Sequence, residues 1–188
     1  VIFVPNRIGG QGRSSDYTNC GKFMFEVLPQ LRKLRDDYVV IAGNPNQKFS
    51  NEELVQQCGA NGYVSLVPDA LTRDEFKFIV RNSDISVGLY DQDSYGGTVA
   101  RECVDLGCLP LWLDNYEYST IAREAKYGYL AKKDFSNIVE TLCRLMGTIK
   151  NDDGSWKATT IDLLREVVRN RCSYEKTTPV ALKLMNLL

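Results

Sequence analysis

The sequence predicts a doubly wound α/β domain, in which helices cover both faces of a single parallel sheet. Six short runs of β-forming residues alternate with longer segments that have the period of an amphipathic helix. The runs are apolar at nearly every position, which is typical of parallel strands buried on both faces. A length of 188 residues with 44% hydrophobic residues is that of one globular domain. Strict β-α alternation then favours right-handed crossovers and a Rossmann-like sheet.

The first predicted strand is VIFVP at residues 1–5, and the first helix covers 20–35. Spacings of four, four and three place one apolar stripe of that helix at Phe23, Val27, Leu31 and Leu34. The alternation then continues to residue 147. The other strands are predicted at 38–42, 62–66, 84–89, 109–113 and 127–131, and the other helices at 51–59, 72–82, 98–106, 116–125 and 134–147.

The C-terminal part of the chain has a different pattern. Residues 150–157 (KNDDGSWK) form a polar, turn-rich break, and 158–172 have the period of another helix. Pro179 suits the first turn of a last helix. We therefore divide the chain into a Rossmann-like domain at 1–149 and a segment at 150–188, whose helices pack on it.

Composition excludes several classes of protein. With a formal net charge of −1, the chain has no overall positive charge that would attract nucleic acid or an anionic membrane. No apolar run approaches the ~20 residues of a membrane span, and we expect no signal peptide. Because the chain opens directly on a strand without an initiator Met, we expect it to be a piece of a longer protein. The expected location is the cytoplasm.

Histidine and cysteine usage restricts the chemistry. The chain has no histidine, which removes Ser-His and Cys-His nucleophilic catalysis. Its six cysteines contain no C-x2-C pair, so neither a zinc site nor a disulfide scaffold is expected. They are interpreted as reduced thiols, several of them on buried faces. We expect no metal and no cofactor.

The segment 94–102 (SYGGTVARE) carries the strongest indication of a ligand site, since ligands of such sheets bind at the carboxyl ends of the strands. Gly96 and Gly97 leave the first N–H groups of a helix open to a phosphate, and the helix dipole favours negative charge there. Thr98 supplies a hydroxyl or caps the helix. Glu102, one turn on, can accept both hydroxyls of a ribose. Alternatively, the glycines form an ordinary turn and Glu102 is a solvated helix residue.

Positive charge follows the first strand. Arg7 comes directly after it and Lys22 starts the first long helix, a guanidinium and an ammonium suited to clamping phosphate oxygens. Ordinary surface charge is the alternative interpretation. Gly10 and Gly12 do not form a dinucleotide fingerprint, because Ser15 stands where the third glycine belongs and no helix follows at once.

The order of these features over residues 1–147 resembles the C-terminal, donor-binding domain of GT-B fold glycosyltransferases. The run from Glu102 to Pro110 (ECVDLGCLP) is similar to the Glu-Ala…Gly-x-Pro run of the retaining branch that carries an E-x7-E motif, with Gly107 shifted by one residue. Residues similar to the phosphate-binding loop of the family are Asn6, Arg7 and Lys22.

The sequence departs from the family motif at its first acid. The position with seven residues between it and Glu102 is Ser94, and Asp93 is one step earlier. The resemblance implies that Asp93 or Ser94 orients the donor sugar and that Glu102 holds the ribose. It also implies that backbone groups of the turn containing Val67 and Pro68 bind the base.

The resemblance implies a glycosyltransferase donor domain that binds a nucleotide-diphosphate sugar without a metal, with retention. Arg7, Lys22 and Asp93 would be the catalytic residues, and the acceptor would be bound by an N-terminal domain of the same protein. Two alternatives stay open: a non-catalytic nucleotide-binding module, and a sugar epimerase or phosphorylase of the same fold. A flavodoxin-like domain is disfavoured, because the loop after the first strand is basic. The acceptor is unassigned, and a nucleic acid is not excluded.

Overall fold

Parallel strands form the centre of the molecule. The computed structural model describes residues 1–7, 23–43, 64–67, 71–89 and 97–172. Within these ranges the strands are β1 (Ile2–Arg7), β2 (Val40–Gly43), β3 (Val64–Val67), β4 (Ile85–Gly88), β5 (Leu109–Leu113) and β6 (Leu130–Ala131). They pair in parallel in the order β3-β2-β1-β4-β5-β6. The predicted fold class, a doubly wound Rossmann-like sheet, is confirmed.

Helices connect and cover the strands. A π-helical turn at Phe23–Val27 runs into α1 (Leu28–Leu34), whose first turn contains Pro29. The other described helices are α2 (Arg73–Arg81), α3 (Gly97–Leu106), α4 (Tyr116–Glu124), α5 (Phe135–Lys150) and α6 (Ser155–Cys172). The helices predicted at 51–59 and near Pro179 lie outside the described residues.

The strand order creates a switch point between β1 and β4. From β1 the chain moves outward to β2 and β3, and it then returns to the middle to build β4, β5 and β6 on the other side. In sheets of this order, ligands bind in a crevice at the carboxyl ends of the strands that flank the switch point, here β1 and β4. This crevice is where the sequence predicts the ligand.

Core side chains fill both faces of the sheet. Along β1, Ile2 and Val4 belong to the larger core, while Phe3 belongs to a smaller one with Val80, Cys103 and Cys108. The smaller core lies between the sheet and helices α2 and α3, whereas the larger one includes side chains of α1 and α5 and also of α3, α4 and α6. Burial on both sides explains why the strands are apolar at consecutive positions.

The last strand is shorter than predicted. We expected a strand over 127–131, whereas β6 contains only Leu130 and Ala131. The preceding residues instead close α4. Lys126 has a φ of 54°, and the N–H groups of Lys126 and Tyr127 donate to the carbonyls of Arg123 and Ala122 at 3.2 and 2.7 Å. This is a Schellman motif, which uses the N–H groups that a longer strand would have needed.

The break before α6 is also shorter than predicted. Helix α5 continues to Lys150 and α6 starts at Ser155, so the break covers only residues 151–154. Asp152 accepts hydrogen bonds from the backbone N–H groups of Trp156 and Lys157 at 3.0 and 2.9 Å. Because this carboxylate satisfies open N–H groups of the first turn, the helix begins earlier than its apolar period indicates.

Helix α6 packs on α3 and α4. Its apolar side chains Ile161, Leu164 and Val168 are buried in the larger core. At the far end of α3, Arg165 Nε donates to the Asp105 carbonyl at 3.1 Å, and Arg169 pairs with the Asp105 carboxylate at 2.6 Å. Two cations thus lie at the negative end of the α3 dipole. Helix α6 thereby fixes the helix that carries Glu102.

Candidate functional site

Three strands end side by side on one half of the crevice. In the register of the sheet, Arg7 pairs with Gly43, and Gly43 pairs with Val67. Since adjacent strands are about 4.8 Å apart, the backbones of Arg7 and Val67 are separated by roughly 10 Å. The structure thus brings the predicted phosphate-binding and base-binding segments to the same edge of the sheet.

Helix α3 starts at the end of β4, on the other side of the switch point. A Cβ placed on Gly88, the last residue of β4, would lie 3.6 Å from the Ala100 Cβ and only 2.7 Å from Trp112 Cδ1. The missing side chain of Gly88 lets the buried Trp112 ring lie against the strand, where it stacks on Tyr118 at 4.5 Å. The first turn of α3 is therefore held close to the carboxyl end of β4.

The side chain of Glu102 points toward α2. Its Oε2 accepts a hydrogen bond from Arg73 Nη1 at 2.8 Å, and its Oε1 pairs with Arg73 Nη2. This is a two-point contact between a guanidinium and a carboxylate, the stronger geometry for such a pair. Arg73 is the first residue of α2 and Glu102 lies in the middle of α3, so the pair joins the beginning of one helix to the middle of its neighbour. The neighbouring Arg101 pairs with Glu117 of α4.

Other acids near Arg73 are engaged locally. Thr72 caps α2 by accepting from the Glu75 N–H at 3.3 Å, and the Thr72 N–H and hydroxyl donate to Glu75 Oε2 at 2.8 and 2.7 Å. These hydrogen bonds lower the pKa of Glu75 below its usual value. Asp74 lies 4.0 Å from Lys77 on the same helix. Arg73 accordingly reaches across to Glu102 on α3.

Only part of the predicted site falls within the described residues. Asn6 and Arg7 are the last two residues of β1, Val67 ends β3, and Gly97 and Thr98 begin α3. Glu102 is the one predicted site residue with a described polar contact. The predicted residues that lie outside the described ranges are Lys22, Pro68, Asp93, Ser94 and Gly96. The site assignment as a whole stays a prediction.

Val67 also borders an open groove of about 600 Å³ between the end of β3 and helix α2. Its walls are mainly apolar, and its most exposed large side chain is Phe78, at 69%. The other lining residues are Leu71, Asp74, Glu75 and Ile79. The predicted base-binding turn at 66–69 therefore begins beside an apolar surface.

Cys103 of α3 and Cys108, which directly precedes β5, have a structural role. Cys103 and Cys108 are buried and unbridged, and Cys108 Sγ donates to the Val80 carbonyl at 3.1 Å. Burial raises the pKa of Cys108 to about 12, and burial also raises the pKa of Cys103. Thiols of this kind are poor nucleophiles at neutral pH. They act as small apolar side chains between the sheet and the helices, as the sequence indicates.

Sequence reasoning missed Arg73. It lies 29 positions from Glu102, and no motif links the two residues. One signal was present: an arginine in the first turn of a helix is disfavoured by the helix dipole, whereas Asp74 and Glu75 beside it are favoured. A cation in that position therefore indicates a partner elsewhere in the fold.

The fold is shared with solved structures that include glycosyltransferases. A glycosyltransferase from Rickettsia africae superimposes with a TM-score of 0.71 at 13% identity, covering 98% of this chain and 47% of that one. The C-terminal domain of a glycosyl transferase group 1 family protein from Francisella tularensis gives 0.65 at 18% identity, covering 90% and 84%. HepE from Anabaena, solved in complex with UDP, gives 0.68 at 11% identity, covering 100% and 49%.

At sequence identities of 13%, 18% and 11%, these similarities show only that the fold is shared. The chain spans about half the length of the Rickettsia and Anabaena proteins and most of the Francisella C-terminal domain. No family model matches the sequence, and no curated protein matches it. Within the described residues, none of the helices combines the length and apolar character needed to cross a membrane.

Proposed function

We propose that this chain is the donor-binding domain of a glycosyltransferase and binds a nucleotide-diphosphate sugar for transfer to an acceptor hydroxyl. The observation that carries the proposal is the arrangement at the switch point. Arg7 ends β1, and α3 starts beside the end of β4 with Glu102 one turn inside it. A cation and a helix N-terminus on the two sides of one crevice suit a diphosphate. The UDP bound in HepE, which shares the fold, supports the same proposal.

Each proposed residue has a separate role. Arg7 and Lys22 offset the negative charge that grows on the leaving diphosphate, and the N–H groups at Gly97 and Thr98 do so from the helix end. Asp93 or Ser94 orients the sugar, and Glu102 accepts the ribose hydroxyls. In the retaining mechanism implied by the resemblance, the leaving phosphate takes the proton of the acceptor, which suits a chain without histidine.

The remaining parts of the proposal concern the whole protein. An N-terminal domain binds the acceptor, and the chain covers only 47% and 49% of two glycosyltransferase-fold structures, which is consistent with a second domain. The donor is bound without a metal, and the protein acts in the cytoplasm. These statements stay predictions.

Removing the phosphate-binding cations should weaken the diphosphate selectively. Arg7→Ala and Lys22→Ala are each expected to cost about 1.5–3 kcal/mol in the binding of a nucleoside diphosphate, because charge-assisted hydrogen bonds are lost. The unphosphorylated nucleoside should bind almost as before. Titration calorimetry with both ligands measures the difference, which should shrink at high salt. Equal losses for the two ligands would contradict the clamp.

Changing the ribose acceptor should weaken every ribonucleotide. Glu102→Gln keeps the size of the side chain but replaces one acceptor oxygen with a donor, so one ribose hydroxyl is mispaired. The expected cost is about 1–3 kcal/mol in nucleotide binding. Since Arg73, the partner of Glu102, is largely exposed to solvent, the free energy of unfolding should change by less than about 1 kcal/mol.

The matched control for this change is Glu117→Gln. Glu117 is also a glutamate paired with an arginine, Arg101, but it lies on α4. Nucleotide binding should be unaffected by that substitution. If Glu102→Gln and Glu117→Gln bind the nucleotide with the affinity of the unchanged chain, Glu102 is not in the site.

A further inference from the structure

The carboxylate proposed to hold the ribose is already occupied. Both of its oxygens are paired with the guanidinium of Arg73. The side chain of Glu102 is 21% exposed and that of Arg73 is 65% exposed. A ligand arriving from solvent therefore meets the guanidinium before the carboxylate.

The charge of Arg73 does not favour the helix that carries it. It is the first residue of α2, where a positive charge faces the positive end of the helix dipole. The capping box of Thr72 and Glu75 already satisfies this helix terminus. The described contacts of the Arg73 side chain are instead with Glu102 and, at 5.9 Å, with the ring of Phe76.

We propose that Arg73 competes with the ribose of the nucleotide for Glu102 and is displaced when the nucleotide binds. This inference rests on the proposed function, because it takes Glu102 as the ribose acceptor. The two ribose hydroxyls are adjacent donors, and they need the same pair of carboxylate oxygens that the guanidinium fork uses. Both cannot occupy them together.

The guanidinium of Arg73 can be solvated after its displacement from Glu102. Arg73 is largely exposed, so water can solvate its charge after release. In the paired conformation the guanidinium also lies 5.9 Å from the Phe76 ring, which packs edge-on against Phe3 of β1 at 5.8 Å. We expect the exchange to proceed by rotation of the Arg73 side chain. The free-energy cost of the exchange is that of one ion pair whose arginine is solvent-exposed, and this cost sets the size of the expected effect.

Removing Arg73 is therefore expected to tighten the binding of ribonucleotides. UDP, GDP and ADP are first titrated into the unchanged chain by calorimetry, and the tightest binder is used. Arg73→Met should lower its Kd about two- to five-fold, the range of one exposed ion pair. The 2′,3′-dideoxy form of the same nucleotide, which cannot displace the arginine, should bind no more tightly to the variant. The gain should shrink at high salt.

Two further variants separate competition from a change of net charge or of fold. Lys77→Met removes one positive charge from the same helix without touching Glu102, and it should not tighten binding. Arg73→Lys keeps the charge but loses the fork, and its affinity should lie between those of Arg73→Met and the unchanged chain. Circular dichroism on thermal unfolding confirms that each variant is folded.

The outcomes distinguish the two proposals. If none of the three nucleotides binds the unchanged chain, the proposed function fails and this inference fails with it. If a nucleotide binds but Arg73→Met binds it equally or more weakly, the competition is refuted while the proposed function stands. The same holds if the dideoxy nucleotide gains as much affinity as the ribonucleotide.

Discussion

The 188-residue chain by itself is expected to transfer sugar at or near the background rate. In the proposed two-domain transferase, the other domain would supply half of the crevice and would also hold the acceptor. Losing the alignment of donor and acceptor should cost at least about a thousand-fold in rate. The measurement compares labelled nucleotide sugars and acceptor mixtures incubated with this chain and with a chain extended upstream of Val1 by its natural sequence.

Donor binding is the control for that experiment. Both chains should bind the nucleoside diphosphate, with weaker binding by the short chain, because water still reaches the open side of its site. Binding without transfer would show that the nucleotide half is functional and that the missing element is the acceptor side. Robust turnover by the short chain would place the acceptor site within these residues and contradict the two-domain proposal.

Leu164→Ala is expected to lower the free energy of unfolding by about 2–5 kcal/mol. Leu164 is fully buried where α6 packs on α3 and α4, so truncation removes apolar contacts and leaves a cavity. A loss of that size is a large fraction of the stability of a domain. Urea unfolding followed by circular dichroism at 222 nm measures the change.

Leu163→Ala is the matched control. Leu163 is the adjacent leucine of the same helix, but its side chain is 40% exposed. Its truncation should cost less than about 1 kcal/mol, since little apolar surface returns to water. If both substitutions had the same small effect, α6 would not be packed on the sheet domain as the structure shows, and its support of α3 would be lost.

The fold followed from local patterns. Six apolar runs separated by helical periods are each readable within about ten residues, and the strands predicted from them occur in the order expected for a doubly wound sheet. The errors were at ends of elements, where local pattern is weakest. Lys126 closes α4 in a conformation that usually requires glycine, and Asp152 starts α6 before its apolar stripe begins.

The candidate site was predicted only in part. The rule that ligands bind at the carboxyl ends of parallel strands led to Arg7 and the start of α3, and the family resemblance added Val67. The register of the sheet places the backbones of Arg7 and Val67 at one edge. The partner of Glu102 could not be predicted in the same way. Its identity depends on how two helices lie on the same face of the sheet, and that relation has no fixed spacing in the sequence.

The amino-acid sequence by itself therefore determined the class of fold and the edge of the sheet where a ligand should bind. Apolar periodicity and turn residues are patterns that extend over a few positions, so they can be recognised in a single sequence. The tertiary structure alone decided which charges meet. Arg73 and Glu102 pair because α2 and α3 pack side by side, and Arg169 reaches Asp105 because α6 returns across α3. Contacts between residues far apart in the chain depend on packing, which the whole core sets together.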